Sequence, residues 1–345
     1  MNLASRFEYL DSLRGVAVML MMLQHSALVL MDLSLVDSFP YVLMVFLGMF
    51  SAPMFLLLVG VGLYISVERR REEGENELRV RKHVLKRGFV LMVFGLLFMF
   101  VWEGEILRYI GIFIMLTYYF LLLRTRTQLV AGLVIVALSS ALKYSPLLNW
   151  GGFPEGFFFR NSWDYSKFIY RIYGDGYSMV FLWFSFVVFG SVLGSVLIRF
   201  LRQGREQAFQ SIALKLGLLL SSLGALEPFF MIPVDDFPAL HVMLTLGVSL
   251  IVLSGLIWWN RKRRHVSRLP GALALYGRLS LSIYIGHIII WLGALQLLGL
   301  TLDLSLLGVI AALFSCYVFT WASGVYWSKN RDMGPLELIV ARLVG

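Results

Sequence analysis

An arginine and a histidine stand in the first apolar stretch of the chain. Arg14 and His25 are eleven positions apart within "LRGVAVMLMMLQH", residues 13–25. At about 100° per residue, eleven steps of an α-helix return to nearly the same face, and at about 1.5 Å per residue they separate the side chains by roughly 16 Å. The spacing therefore predicts a guanidinium at the start of a helix face and an imidazole deep along it.

These two residue types suit the two ends of an acyl-CoA molecule. The planar guanidinium of Arg14 binds phosphate groups, and a neutral imidazole at His25 acts as a general base on an amine or hydroxyl. The pantetheine arm of acyl-CoA would carry the thioester from the first residue towards the second. The alternative interpretation is structural, with a neutral His25 that bonds to a neighbouring hydroxyl or carbonyl inside the protein.

The elements that must position these residues are membrane helices. Of the 345 residues, 59% are hydrophobic and only 15% are charged, which is more apolar than a soluble domain. About 20 apolar residues cross a bilayer, and such runs lie near 13–32, 42–66, 88–102, 106–123, 129–147, 178–199, 208–226, 239–259, 279–298 and 305–326. We expect an all-α polytopic bundle of about 10–11 transmembrane helices in a single domain, 1–345, whose first run is retained as a span.

Basic residues are concentrated in alternate connections between these runs. The segment 68–87 has eight Lys or Arg and the segment 260–268 has five. The positive-inside rule therefore predicts that both segments and both termini are cytoplasmic. The net charge of +9 also suits anionic lipid headgroups or a nucleotide phosphate. Nucleic acid is not an expected partner, because no soluble domain remains to bind it.

Two connections on the opposite face are rich in aromatic residues. Residues 149–177 contain eleven aromatic and three acidic side chains, and residues 227–237 contain three of each. Loops of this composition are expected to be ordered. They fit either an interfacial aromatic belt or a wall around an extracytoplasmic acceptor.

Five segments carry a resemblance to a known family. The first, "YLDSLRGVAVMLMMLQHS" (9–26), resembles the first-span signature of membrane acyltransferases, in which a histidine follows an L-D-x-x-R opening. The others are similar to motifs of the heparan-α-glucosaminide N-acetyltransferase-like branch and its bacterial relatives. They are "FSAPMFLLLVGVGLYIS" (50–66), "EILRYIGI" (105–112), "YGRLSLSIYIGHIII" (276–290) and "GPLELIVARL" (334–343).

This resemblance implies a reaction across the membrane. It implies acetyl-CoA as the cytoplasmic donor, no metal, and a glycan, amino sugar or lipid-linked acceptor on the far side of a prokaryotic cytoplasmic membrane. By the same resemblance His25 is the catalytic base, Arg14 serves the donor entrance, and Asp11 and Ser12 shape the start of the helix. The lysosomal sugar acetyltransferase has an asparagine at the position of His25, so its acceptor is not carried over. Membrane lipids and a second copy of the chain, as a homodimer, are the other expected partners.

Further polar residues in the apolar runs are candidates for the same site. Tyr276 and Arg278 begin the ninth span on the cytoplasmic side, where they either contact the donor or only reflect the topology. His287 lies near mid-membrane, where it either faces His25 or is satisfied within the core. Glu105 and Arg108 either pair with each other, three positions apart, or belong to the acceptor site.

Two other classes of protein are alternatives to an acyltransferase. A secondary transporter or lipid flippase would use Arg14, His25 and His287 as a proton or ligand relay, but the sequence has no detectable inverted repeat. A scaffold protein would not need ionisable residues aligned through its first span. Consumption of a thioester separates the acyltransferase from both.

Overall fold

The computed structural model describes residues 7–35, 38–102, 104–143, 177–226, 238–262, 269–299 and 304–345. Within these ranges the regular structure is helical, apart from one isolated bridge between Met31 and Leu304. This confirms the all-α prediction.

The helices are named here in chain order. They are α1 (Glu8–Leu30), α2 (Phe39–Gly48), α3 (Ser51–Glu72), α4 (Glu77–Phe98), α5 (Leu107–Phe120), α6 (Thr125–Lys143), α7 (Tyr177–Arg202), α8 (Glu206–Gly224), α9 (Pro238–Lys262), α10 (Leu269–Arg278), α11 (Ser280–Gly286), α12 (Gly293–Leu297), α13 (Leu306–Ser328) and α14 (Pro335–Val344). A π-helical segment, His287–Leu292, joins α11 to α12.

Each of the ten apolar runs overlaps a helix. Six helical stretches in the described part of the chain are long and apolar enough to cross a membrane, and two shorter apolar helices, Leu107–Phe120 and Thr125–Ala141, accompany them. The six are Glu8–Leu30, Phe39–Glu72, Val180–Arg202, Ala239–Lys262, Ser280–Leu297 and Leu306–Ser328. The protein is therefore an integral membrane helical bundle.

The predicted second span, 42–66, is not one continuous helix. It is divided between α2 and α3, with a break after Gly48. A Cβ atom at Gly48 would lie 2.3 Å from the Cβ of Gln24 in α1, so only glycine allows this approach. Pro53 stands in the first turn of α3, where its missing N–H needs no partner.

The basic segment 68–87 is mostly helical rather than a polar loop. Helix α3 continues to Glu72, and α4 already begins at Glu77, eleven residues before the predicted span. Asn76 caps α4, because its side-chain oxygen accepts a hydrogen bond from the N–H of Leu78 at 2.9 Å. The charged residues thus extend the membrane helices instead of separating them.

The chain forms two compact units. One consists mainly of Leu56–Leu250, and the other of Ser5–Phe55 with Ile251–Gly345. We call them the central unit and the terminal unit. The prediction of a single domain for 1–345 stays a prediction. The predicted external segments 149–177 and 227–237 lie outside the described residues, except for Tyr177 at the start of α7.

Candidate active site

Helices α1 and α10 of the terminal unit cross in close backbone contact. A Cβ atom at Gly15 would lie 2.1 Å from the carbonyl oxygen of Leu273, and one at Gly277 would lie 1.8 Å from that of Asp11. No side chain fits at either distance, so glycine is required at both positions. The crossing brings the segment that contains Arg14 against the segment that contains Tyr276 and Arg278.

Arg14 lies at this crossing and pairs within its own helix. Its guanidinium donates a hydrogen bond to the carboxylate of Asp11 at 2.9 Å. The Asp11 side chain is 8% exposed, whereas that of Arg14 is 26% exposed. Asp11 therefore orients a guanidinium that still reaches the surface of the unit.

His25 lies on the same uninterrupted helix and contacts His287. Nδ1 of His25 is 3.0 Å from Nε2 of His287, and both side chains are buried. The ring planes are 10° apart and the ring centres 5.3 Å apart. The two histidines are separated by 262 positions in the sequence. The structure thus brings together two of the residues named from the sequence, in the arrangement where His287 faces His25.

The backbone around His287 has an unusual local form. His287 is the first residue of the π-helical segment, and its Nδ1 lies 2.9 Å from the carbonyl oxygen of Ile283. Single π turns inside α-helices are rare and occur frequently at functional sites. The centre of the Tyr284 ring lies 6.2 Å from that of the His287 ring, and the two ring planes are 48° apart.

Tyr276 and Arg278 end the short helix α10 rather than beginning the ninth span. Leu279, with φ −104° and ψ 15°, separates α10 from α11. The Tyr276 hydroxyl donates to the carbonyl oxygen of Tyr317 in α13 at 2.6 Å. Arg278 is half-buried and makes no hydrogen bond or ion pair with another described residue. Of the two, Arg278 is better placed to bind an anion.

Glu105 and Arg108 belong to the central unit and pair with each other. Arg108 donates to the Glu105 carboxylate at 3.0 Å, and the same carboxylate accepts the backbone N–H groups of Leu107 and Arg108 at 2.7 and 3.1 Å. A second guanidinium nitrogen donates to the Tyr109 hydroxyl at 3.0 Å. Burial raises the pKa of the Glu105 carboxyl above its ordinary value, although Arg108 and these N–H groups act in the opposite direction.

Trp291 is a buried polar group that the sequence interpretation did not single out. Its indole N–H has no hydrogen-bond partner among the described residues, and its ring stacks on Phe319 with centres 6.1 Å apart. It follows His287 by four positions in the π-helical segment. That spacing, close to one helical turn, is the signal that could have identified it.

The terminal unit therefore contains a partly exposed arginine near the start of α1 and an imidazole pair further along it. Such a pair can accept a proton and hold it between two rings. No group of three or more His, Cys, Asp or Glu side chains in the described ranges is placed to hold a metal ion.

Two family models match the chain. The model described as heparan-alpha-glucosaminide N-acetyltransferase, catalytic, matches residues 6–227, which include Arg14 and His25. A family of unknown function (DUF418) matches residues 198–344, which include His287. A comparison with curated proteins finds no match. The first match covers more than half of the 345 residues and confirms the resemblance. The chain therefore belongs to the heparan-alpha-glucosaminide N-acetyltransferase catalytic family, a family of membrane acetyltransferases.

Proposed function

We propose that the protein transfers an acetyl group from cytoplasmic acetyl-CoA to an amine or hydroxyl of an extracytoplasmic glycan or lipid-linked acceptor. The observation that carries this proposal is the buried contact between His25 and His287, at 3.0 Å. His25 lies on α1, which also contains Asp11 and Arg14 near its start. A buried ionisable pair within membrane spans is costly and is typically functional.

His25 is the general base of the proposed reaction. Its imidazole takes the proton from the acceptor N–H or O–H while the acceptor atom attacks the thioester carbonyl carbon. The C–S bond then breaks and the acetyl group stays on the acceptor. The CoA thiolate leaves and recovers the proton from the His25 imidazolium, so the histidine returns to its neutral state.

Arg14 is proposed to bind the anionic end of the donor. Asp11 holds the guanidinium through a hydrogen bond at 2.9 Å, and 26% of the Arg14 side chain is exposed. A guanidinium oriented in this way binds phosphate with charge-assisted hydrogen bonds. Arg278, at the same crossing of α1 and α10, adds a second positive charge. The separation of Arg14 from His25, about 16 Å, suits a long donor arm.

The orientation in the membrane follows from the same assignment. We expect the termini and the segments 68–87 and 260–268 to be cytoplasmic, because these two segments carry thirteen Lys or Arg residues. The resemblance to bacterial relatives implies the cytoplasmic membrane of a prokaryote. Single cysteines at Asn76 and Gly156, in a Cys316→Ser background, should be labelled from opposite sides. Labelling from the same side would contradict this orientation.

A direct test of the function uses purified protein in detergent. The protein is incubated with acetyl-CoA labelled in the acetyl group and with an extract of membrane glycans and lipid-linked sugars. We expect release of free CoA thiol and an acetylated acceptor, both abolished in His25→Asn. Family membership favours this outcome over a transporter or flippase. Equal CoA release by wild type and His25→Asn would contradict the proposed role of His25.

A further inference from the structure

We propose that His287 is a positioning residue that selects the tautomer of His25, so that Nε2 of His25 is the nitrogen that accepts the acceptor's proton. This inference rests on the proposed function of the same site and adds the role of His287 in it. The hydrogen bonds of the two rings carry the inference, because each nitrogen of a neutral imidazole is either a donor or an acceptor.

The carbonyl group of Ile283 determines where the hydrogens of the two imidazole rings lie. The oxygen of Ile283 can only accept, so Nδ1 of His287, 2.9 Å away, must carry a hydrogen. Nε2 of a neutral His287 then has a lone pair. Nδ1 of His25 lies 3.0 Å from that nitrogen and must be the donor between the two. A neutral His25 with a hydrogen on Nδ1 has its lone pair on Nε2.

Burial supports the neutral form as the starting state. His25 is 9% exposed and His287 is 3% exposed. A charged imidazolium in an apolar span would be costly before a substrate is bound. The neutral pair thus forms one chain of donors and acceptors that runs from the Ile283 carbonyl through both rings to Nε2 of His25.

The same chain stabilises the charge that the reaction generates. When Nε2 of His25 takes a proton, the new imidazolium already donates through Nδ1 to the lone pair of His287. Hydrogen bonds from an ionised donor are shorter and stronger than neutral ones, and linked bonds reinforce each other. His287 therefore stabilises the protonated state of His25 without touching the substrate.

The π-helical segment sets the position of the His287 side chain. A backbone with an i→i+5 pattern starts at this residue, whereas the preceding turn, Ser280–Gly286, is α-helical. The Ile283 carbonyl, four residues before His287, accepts the backbone N–H of His287 and also lies 2.9 Å from its Nδ1. Such a segment changes the direction of a side chain without ending the helix.

The test measures the tautomer directly. The protein is labelled with 15N in its histidine rings and studied by NMR in lipid nanodiscs, and the signals of His25 are assigned by their loss in His25→Asn. We expect the wild-type protein to show hydrogen on Nδ1 and a lone pair on Nε2 of His25. A wild-type His25 with hydrogen on Nε2 would overturn the inference, whatever the activity of the protein.

Two substitutions of His287 form a matched pair. In His287→Gln the side-chain oxygen can replace Nε2 as acceptor, whereas His287→Phe keeps a planar aromatic ring but removes the acceptor. We expect His287→Gln to retain the tautomer and most of the turnover. His287→Phe should mix the tautomers and lower kcat by about 10- to 100-fold, the scale of lost orienting partners, with KM for acetyl-CoA unchanged. Equal tautomer populations in both variants would contradict the role of His287.

The outcomes separate this inference from the proposed function. If the protein transfers no acetyl group but the wild-type tautomer is as expected, the proposed function fails and the hydrogen-bond assignment stands. If transfer is observed but His287→Phe has wild-type kcat and an unchanged tautomer, the function stands and the inference fails.

Discussion

Two pairs of an acidic residue and an arginine have the same spacing but different surroundings. Asp11–Arg14 in the terminal unit and Glu105–Arg108 in the central unit are both three positions apart, with distances of 2.9 and 3.0 Å. The Arg108 and Glu105 side chains are 4% and 0% exposed, whereas Arg14 is 26% exposed. One spacing therefore gives a closed, fully buried pair in one unit and a partly exposed pair in the other.

Hydrogen bonds explain the difference. Arg108 is held by Glu105 and by the hydroxyl of Tyr109, and its guanidinium carbon lies 4.4 Å from the centre of the Tyr109 ring. The pair is also fixed to the first turn of α5 through two backbone N–H groups. Arg14 pairs with Asp11 at 2.9 Å and keeps 26% of its side chain exposed. We therefore expect substitutions in the two units to change different measured quantities.

The largest effect is expected at His25, beyond Arg14 on the same helix. His25→Asn should lower kcat for acetyl transfer by about 10²–10⁴-fold, the contribution of a general base, which corresponds to roughly 2.7–5.5 kcal/mol. CoA affinity should stay nearly normal. The matched control is His83→Asn, because His83 contacts Arg70 in the central unit and has no proposed catalytic role. A His25→Asn protein with wild-type turnover would remove the functional distinction between the units.

The next effect tests the closed pair. Arg108→Met should lower the free energy of unfolding by about 3–5 kcal/mol, because it leaves the buried Glu105 carboxylate without its partner. Turnover per folded molecule should be nearly unchanged. The double substitution Glu105→Leu with Arg108→Met should lower the free energy of unfolding by less than Arg108→Met alone. Unfolding in mild detergent, followed by fluorescence, provides the measurement.

The same variant has an expected pH dependence. Burial already raises the pKa of Glu105, and loss of Arg108 should raise it further. The folded protein then keeps the proton to a higher pH than the unfolded chain, so stability is lost as the pH rises through that range. The deficit of Arg108→Met should therefore be smallest in acid. A deficit that is constant with pH would show that the loss of Arg108 does not raise the pKa of the Glu105 carboxyl.

A smaller effect is expected for the partly exposed pair, Asp11–Arg14. Arg14→Ala should weaken CoA binding by about 1.5–3 kcal/mol, the scale of a hydrogen bond to a charged group. Its unfolding free energy should change less than that of Arg108→Met, because Arg14 is partly exposed. Calorimetry with CoA measures the affinity, and Arg331→Ala, at an exposed position, controls for the loss of one positive charge. Unchanged CoA affinity would make Arg14 a structural residue like Arg108.

The smallest effect is expected on the charged surface of the central unit. Glu77 accepts hydrogen bonds from Arg71 and from the Tyr118 hydroxyl, and Arg71 lowers the pKa of its carboxyl. Glu77→Gln should lower the free energy of unfolding by less than about 1 kcal/mol. The difference from wild type should disappear as the pH falls through the lowered pKa of the Glu77 carboxyl. Glu73 forms an ion pair with Arg69 that is also exposed. Glu73→Gln should lower the free energy of unfolding by less than Glu77→Gln does, because it removes no hydrogen bond to a tyrosine.

The sequence predicted the helices better than their ends. Apolar runs identify spans because about 20 such residues are needed to cross a bilayer. The break after Gly48 was not predicted, because the sequence remains apolar through it, although Pro53 in the first turn of α3 is a signal for a helix start. The early start of α4 was partly predictable from Asn76, a favoured capping residue.

The candidate site was predicted in its parts but not in its pairing. Arg14 and His25 share one helix, so their relation follows from helical geometry. The contact of His25 with His287 depends on tertiary packing over 262 positions, which local patterns do not contain. Glu105–Arg108 was predictable as a local pair, but its complete burial depends on neighbouring helices. The roles of all these residues stay predictions.

The crossing of α1 and α10 limits how this protein can move. Carbonyl oxygens occupy the space that a side chain would fill at Gly15 and Gly277. A shift of either helix by one residue would press Arg14 or Tyr276 into a gap of atomic size. These two helices must therefore travel as one rigid body. Any opening of the terminal unit has to involve other helices, while the surroundings of Arg14 at this crossing keep their shape.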